Sequence, residues 1–313
     1  LGPPDRHHCG CRTREAIVWS PPMQSSLRSS LSRIVVAPTF LLVLVFVYGF
    51  ILWTGYVSFT GSKMLPSYEW VGIDSYVRLW QFERWHVAIT NLFIFGSLFI
   101  VICLALGCLL AVMLDQKIRV EGTLRTIYLY PMALSFIVTG TAWKWLLNPG
   151  TGLQAFVRDL GFPEFTFDWL INEQFAVYTL VIAAVWQSSG FVMALFLAAL
   201  RGVDQEIIKA AYLDGASLPR IYWGIVIPSI RPVFLSAIVI LAHLAVKSFD
   251  LVVALTGGGP GFASDLPANF MYEMAFRRNQ INIGAASAVM MLCTVMAIIV
   301  PYLYSELRGA KRG

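Results

Sequence analysis

Only 13% of the residues are charged, roughly half of the ~25% usual in soluble domains. That shortage excludes an ordinary soluble fold. With 58% hydrophobic residues and a mean hydropathy of +0.69, the chain reads as one that crosses a membrane several times. The net charge is +5, but no stretch combines a basic stripe with interleaved aromatics on a soluble face, so nucleic-acid binding is excluded. Cysteine is scarce as well. Of Cys9, Cys11, Cys103, Cys108 and Cys293, the last three sit inside apolar runs, where a thiol behaves as a small hydrophobe, and no disulfide framework arises. There is no G-x-x-x-x-G-K-[ST] loop to hold ATP and no H-E-x-x-H to hold a catalytic metal. Nor is a cleavable signal peptide evident.

What the chain does have is long apolar runs. Six lie at about Val35–Ser58, Ala88–Leu114, Ile127–Leu147, Phe175–Leu200, Pro232–Leu255 and Gly284–Tyr304. Each reaches the roughly 20 residues a helix needs to cross the hydrocarbon. Runs of this kind are helices, because lipid offers the backbone no other partners. The expected fold is therefore all-α and polytopic, with six transmembrane helices. Pro38, Pro131 and Pro301 are expected near span ends, and Trp53, Tyr56, Trp85, Trp143, Trp145 and Tyr302 at the membrane interfaces. Lys144 is expected to reach the headgroups.

The loop cations orient the bundle. One side carries Lys117, Arg119, Arg125, Arg201, Lys209, Arg220, Arg231, Arg308, Lys311 and Arg312. The other carries Lys63, Arg78, Arg84, Arg158, Arg277 and Arg278, on longer loops. The positive-inside rule puts both termini and the 201–228 loop in the cytoplasm of a multi-pass inner (plasma) membrane protein. Residues 1–33 read as a disordered cytoplasmic tail, of which 1–22 are read as upstream read-through or a flexible extension. Its His7-His8-Cys9-Gly10-Cys11 cluster has metal-binding residue types, but terminal polar segments are usually unstructured. Residues 34–306 form the membrane domain and 307–313 a second cytoplasmic tail.

The most informative polar stretch is 201–228, which has the grammar of two short helices. Asp204 is an N-cap with Glu206 in the first turn. Gly215 ends the first helix, Ser217 caps a second, Pro219 is tolerated in its first turn and Pro228 ends it. Lys209, Ala210-Ala211, Asp214-Gly215-Ala216, Tyr222, Ile225 and Pro228 resemble the "EAA" loop of membrane subunits of binding-protein-dependent ABC importers. Lys209 stands where that family usually has Glu, and Tyr222 where it often has Phe. A second match, Phe249-Asp250 followed by Leu255-Thr256-Gly257-Gly258-Gly259-Pro260-Gly261, resembles the maltose and glycerol-phosphate branch. The overall likeness leans to glucose/mannose permeases. The resemblance implies a coupling loop at 201–228 that docks on an ATPase subunit, with Tyr222, Trp223 and the Ala210–Ala211 ridge in its groove. It implies as partners a second permease, two ATPase subunits that hold ATP and Mg, and an external sugar-binding protein. It also implies a permease, not an enzyme, with no catalytic residue, metal or cofactor of its own, importing a sugar by alternating access. An ion-coupled secondary transporter is the alternative; it would want paired inverted repeats, and none is visible.

Two further residue sets stand out inside the spans. A sugar path wants neutral hydrogen-bonding groups and flat aromatic faces. Trp186, Gln187, Ser188 and Ser189 supply such groups, and the resemblance points to Gln187, Ser188, Leu241, Leu244 and Ser248. Interhelical hydrogen bonding is the competing role for the polar members. On the fifth run, His243, Lys247 and Asp250 share one helical face at spacings of four and three, so Lys247 and Asp250 are placed to pair. Such a patch lines the path, relays protons, or is simply an interfacial ion pair.

Overall fold

The computed structural model describes residues 36–309 apart from 66 and 117–118, and the side chains of 305–309 are not described. The 1–33 tail with its His7–Cys11 cluster, Lys117 and residues 310–313 lie outside that set. The chain divides into two units, up to Trp53 and from Thr54 onward. The first unit contributes most of helix α1, Val36–Ser58. Its side chains up to Trp53 are exposed and, Thr39 apart, apolar or aromatic, as in a lipid-facing rod, with a π turn at Leu44–Tyr48.

The second unit is all helical among its described residues, apart from one isolated bridge between Thr60 and Trp70. Helices α2 (Asp74–Gln81) and α3 (Glu83–Asp115) come first. Glu83 lies in the first turn of α3, where the helix dipole favours an acid. Next come α4 (Glu121–Leu129), a 3-10 turn (Tyr130–Ala133), α5 (Phe136–Leu146) and α6 (Leu153–Asp159). Helix α7 (Ala176–Arg201) is the most buried of the apolar helices. The rest are α8 (Gln205–Leu213), α9 (Leu218–Ser229), α10 (Arg231–Val246), α11 (Asp250–Leu255), α12 (Pro267–Tyr272) and α13 (Ile281–Gly309).

Packing follows the spacing of small and apolar residues. The buried stripe of α3 runs through Ala88, Leu92, Phe95, Phe99, Cys103, Gly107, Ala111 and Leu114. Gly107 lets α7 approach, since a Cβ there would sit 2.8 Å from Val192 Cβ. In lipid, close contact through such residues replaces the hydrophobic drive available in water. Gly190 of α7 lies against the Tyr128 backbone carbonyl, with no room for a methyl group. Gly190→Ala is therefore expected to force α4 away from α7 and to cost about 1–3 kcal/mol. A lowered melting temperature in detergent checks this.

Four described helices are long and apolar enough to cross a membrane: Val36–Ser58, Glu83–Asp115, Ala176–Arg201 and Ile281–Tyr304. A fifth is counted if α9 and α10, bent by 66°, form one span. Two expected spans are broken instead. The 127–147 run is interrupted at Pro131, which is buried in the 3-10 turn rather than near a span end. Proline has no N–H to continue the helix, and its ring crowds the preceding turn. The 232–255 run breaks at Lys247–Phe249, between α10 and α11. Pro301 lies inside α13, which continues to Gly309. Trp85, expected at an interface, is buried 5.1 Å from the Phe270 ring.

Candidate coupling and substrate sites

The 201–228 segment starts as its sequence dictates. Asp204 adopts an extended N-cap conformation and its carboxylate accepts from Glu206 N–H at 2.9 Å. At the far end Gly215 has φ +78°. Gly215 N–H donates to the Tyr212 carbonyl and Ala216 N–H to the Ala211 carbonyl, at 3.0 and 3.1 Å. This pair of bonds is a Schellman motif, and it needs a residue at ease in the left-handed region. Asp214 is the C-cap, so α8 ends in a sharp corner. Ser217 occupies the next N-cap position but its side chain makes no capping bond. Pro228 does not end its helix. The backbone widens to a π turn at Tyr222–Val226 ahead of it and continues to Ser229.

The faces differ from expectation. Ala211 is buried, and Ile225 packs against the core. Tyr222 turns inward: its hydroxyl donates to Asp115 at 2.5 Å and accepts from Gln116 Nε2 at 2.9 Å, tying α9 to the end of α3. Ala210 and Lys209 stay exposed, and Lys209 pairs with Glu206 at 3.0 Å within its own helix. An exposed pair of this kind contributes little. Apolar residues left uncovered at the corner include Tyr212 and Leu213, with Leu218 just beyond it, and Leu213 is 90% exposed. Trp223 is also exposed. It borders a groove of about 490 Å³ against Leu104, Cys108 and Val112 of α3.

A second cavity, of about 600 Å³, opens between α3, α4, α5 and α7. Trp186 forms its wall with Trp143, the two rings meeting edge to face at 5.9 Å, and Tyr128, Pro131 and Ser189 complete it. The break at Pro131 thus lines this cavity. Gln187 is buried; its Nε2 donates to the Leu134 carbonyl at 2.7 Å, while its Oε1 is buried with no hydrogen-bond partner. Ser188 is buried beside it in α7. Leu241 is wholly buried in the main core, Leu244 packs against that core, and the Ser248 hydroxyl donates to the Leu244 carbonyl at 2.9 Å. Of the residues expected on the path, Trp186 and Ser189 line this cavity. Trp143, expected at a membrane interface, lines it too, and Tyr128 does so without having been singled out; aromatics placed on either side of Pro131 were the available signal.

His243, Lys247 and Asp250 are all exposed. The continuous helical face expected for them does not exist, because α10 ends at Val246 and α11 starts at Asp250. Among the described residues no ion pair within 4.0 Å joins Lys247 to Asp250.

A buried polar cluster forms elsewhere, around the glycine-rich loop. Arg84 Nε donates to Asp265 Oδ2 at 2.5 Å, and Asn269 Nδ2 donates to Asp265 Oδ1 at 2.6 Å. Asn91 Nδ2 donates to the backbone carbonyls of Ala263 and Asp265 at 2.9 and 3.0 Å. Arg84 also lies 3.8 Å from Glu273 and stacks over the Phe262 ring. Burial pushes the Asp265 carboxyl above its ordinary range, against the opposing pull of Arg84 and Asn269. An asparagine inside an apolar run, Asn91, was the signal available for this cluster.

The described residues thus form a polytopic helical bundle with an exposed corner at Tyr212 and Leu213 and a cavity among α3, α4, α5 and α7. Among the described residues no group of three or more His, Cys, Asp or Glu could hold a metal ion. Residues 104–309 match the family described as binding-protein-dependent transport system inner membrane component, and the chain belongs to it. It is 37% identical to a probable ABC transporter permease of Pyrococcus horikoshii, over 88% of this chain and 95% of that one. It is 35% identical to a xylose/arabinose import permease of Haloferax volcanii, over 96% of each. Its fold matches a chain of a bacterial ABC transporter that imports alginate, with a TM-score of 0.79 at 20% identity, over 91% of this chain and 98% of that chain.

Proposed function

We propose that this permease subunit imports a sugar by alternating access, driven by ATP that partner ATPase subunits hydrolyse. The observation that carries this is the corner of α8, where Tyr212 and Leu213 stand uncovered beside a fixed Gly215 turn. An apolar tip at the end of a short rigid helix suits a groove on another protein. In this reading 201–228 is the cytoplasmic coupling loop, both termini are cytoplasmic, and ATP and Mg stay in two ATPase subunits. A second permease and an external sugar-binding protein complete the assembly. Six spans result if α4 and α5 cross as one helix broken at Pro131, and α10 and α11 as another broken at Lys247–Phe249. Broken helices also serve ion-coupled carriers; family membership supports the ATP-driven class instead.

The Trp186–Trp143 cavity is the substrate path. Its volume has room for a sugar ring with space to spare, and its aromatic faces suit the apolar side of a pyranose. Gln187 Oε1 is the acceptor available to a sugar hydroxyl if α7 turns during the cycle. The overall likeness suggests a monosaccharide such as glucose or mannose, and the pentose permease and alginate importer among its relatives widen that to other sugars. Trp186→Ala is expected to reduce uptake by about 10- to 100-fold, through loss of roughly 1.5–3 kcal/mol of aromatic contact. ATP hydrolysis without sugar should be unchanged. Uptake in proteoliposomes holding the whole assembly tests both the path and the driver: uptake without ATPase subunits would overturn the proposal.

A further inference from the structure

A third cavity, of about 570 Å³, lies between the loop after α1, α2 and the start of α13. Its described lining carries three cations, Lys63, Arg78 and Arg278, with Gln81, Asn279 and Gln280 among them and no acid. Asp74 pairs with Arg78 at 2.8 Å, and among the described residues Lys63 and Arg278 have no acidic partner within 4.0 Å. The cations are gathered by a built frame. Asn282 N–H donates to the Ser62 carbonyl at 3.0 Å, and Asn282 Nδ2 to the buried Ser75 hydroxyl at 3.2 Å. Gln280 N–H donates to the Met274 carbonyl at 2.8 Å, and Asn279 takes a left-handed φ of 55° to make the turn. These bonds fix the three segments that present Lys63, Arg78 and Arg278.

Helix α2 supplies the second observation. Ile73, Val77 and Trp80, at spacings of four and three, form an exposed apolar stripe on and just before it. Ser75 and Leu79 are buried on the opposite face. Arg78 and Gln81 lie on the edge between, at the cavity. A helix with one face on protein, one apolar face open and a cationic edge has the character of a membrane-surface helix. Trp70, exposed and stacked on Phe59 at 5.3 Å, extends the apolar surface.

We propose that this cavity binds the phosphate of an anionic phospholipid whose acyl chains run along Ile73, Val77 and Trp80. Guanidinium forks suit phosphate oxygens, and the uncharged amides can hold a glycerol headgroup. An acidic protein surface would meet the same charge, but it has no use for an apolar stripe continuous with the cavity edge.

The test takes the full chain from nanodiscs of phosphatidylcholine with added phosphatidylglycerol into detergent and counts retained lipids by native mass spectrometry. The wild type should keep a phosphatidylglycerol that the Lys63→Gln/Arg78→Gln/Arg278→Gln variant loses, its occupancy falling at least about tenfold. Phosphatidylcholine retention should match in both, and Lys144→Gln, an exposed cation outside the cavity, should behave as wild type. Ile73→Ser/Val77→Ser should weaken retention with every charge in place, which guards against a triple variant that fails to fold. Equal retention of phosphatidylglycerol in the wild type and a folded triple variant would overturn the proposal. So would inorganic phosphate binding as tightly as the lipid, with the same loss in the variant. A variant that keeps its lipid but loses affinity for an acidic binding protein would overturn it too.

Discussion

Leu213→Asp should leave membrane insertion intact and abolish coupled uptake. Leu213 is the most exposed large apolar residue on the 201–228 segment, and none of the described residues covers it. A hot-spot side chain in a partner's groove contributes about 2–4 kcal/mol. Losing it should weaken association with the ATPase by about 30- to 1000-fold. Co-purification of the ATPase subunit and sugar-dependent ATP hydrolysis read this directly. Wild-type uptake in the variant would mean that the corner is not the coupler. A companion pair separates the tip from its backbone. Gly215 has open space around it, so only its φ of +78° resists a side chain. Gly215→Val should cost about 1–2 kcal/mol by forcing the left-handed region on a β-branched residue. Gly215→Asn should recover most of the coupling, because asparagine visits that region more readily.

Features set within a few residues of chain were legible in the sequence. Asp204 capping α8 and Gly215 ending it both act over one helical turn, and both sit where the sequence puts them. The long apolar runs of α1, α3, α7 and α13 were legible for the same reason. Hydropathy hid the breaks. A window over 127–147 averages away one missing N–H at Pro131, and a window over 232–255 does the same to Lys247, Ser248 and Asp250. The direction of Tyr222 was hidden differently. Its ring was expected in a partner's groove, but its hydroxyl finds Asp115, which is 107 positions away in the chain. A one-dimensional pattern carries no such distance. The same applies to Leu241, whose expected place on the path came from resemblance and whose side chain fills the core. Arg84 was read only as a loop cation, and Asp265, 181 residues away, gave no signal of its own.

Arg84→Met is expected to be the most destabilising single change in the unit from Thr54 onward. The Asp265 side chain is fully buried and that of Arg84 nearly so. Removing one partner of such a pair costs about 3–5 kcal/mol, because the other charge is left uncompensated. Asp265 retains the amide of Asn269, which limits the loss but supplies no charge. The pH dependence has a definite sign. Burial already holds this carboxyl above its ordinary value of 3.8, and without Arg84 it should move further up. The folded variant then binds more protons than the unfolded chain between 3.8 and the raised value, so its stability falls as pH rises through that window and returns in acid. The wild type, with Arg84 in place, should show a weaker dependence over the same range. Arg84→Met/Asp265→Leu should recover a large part of the loss at neutral pH, since an apolar pair leaves no buried charge. Asn91 and Asn269 would still lose a partner in that variant, Asn91 only if the 263–265 backbone shifts. Thermal unfolding in detergent at acid and neutral pH measures all three chains. A double variant no more stable than Arg84→Met would mean that the backbone of the glycine-rich loop, not the buried charge, sets the cost.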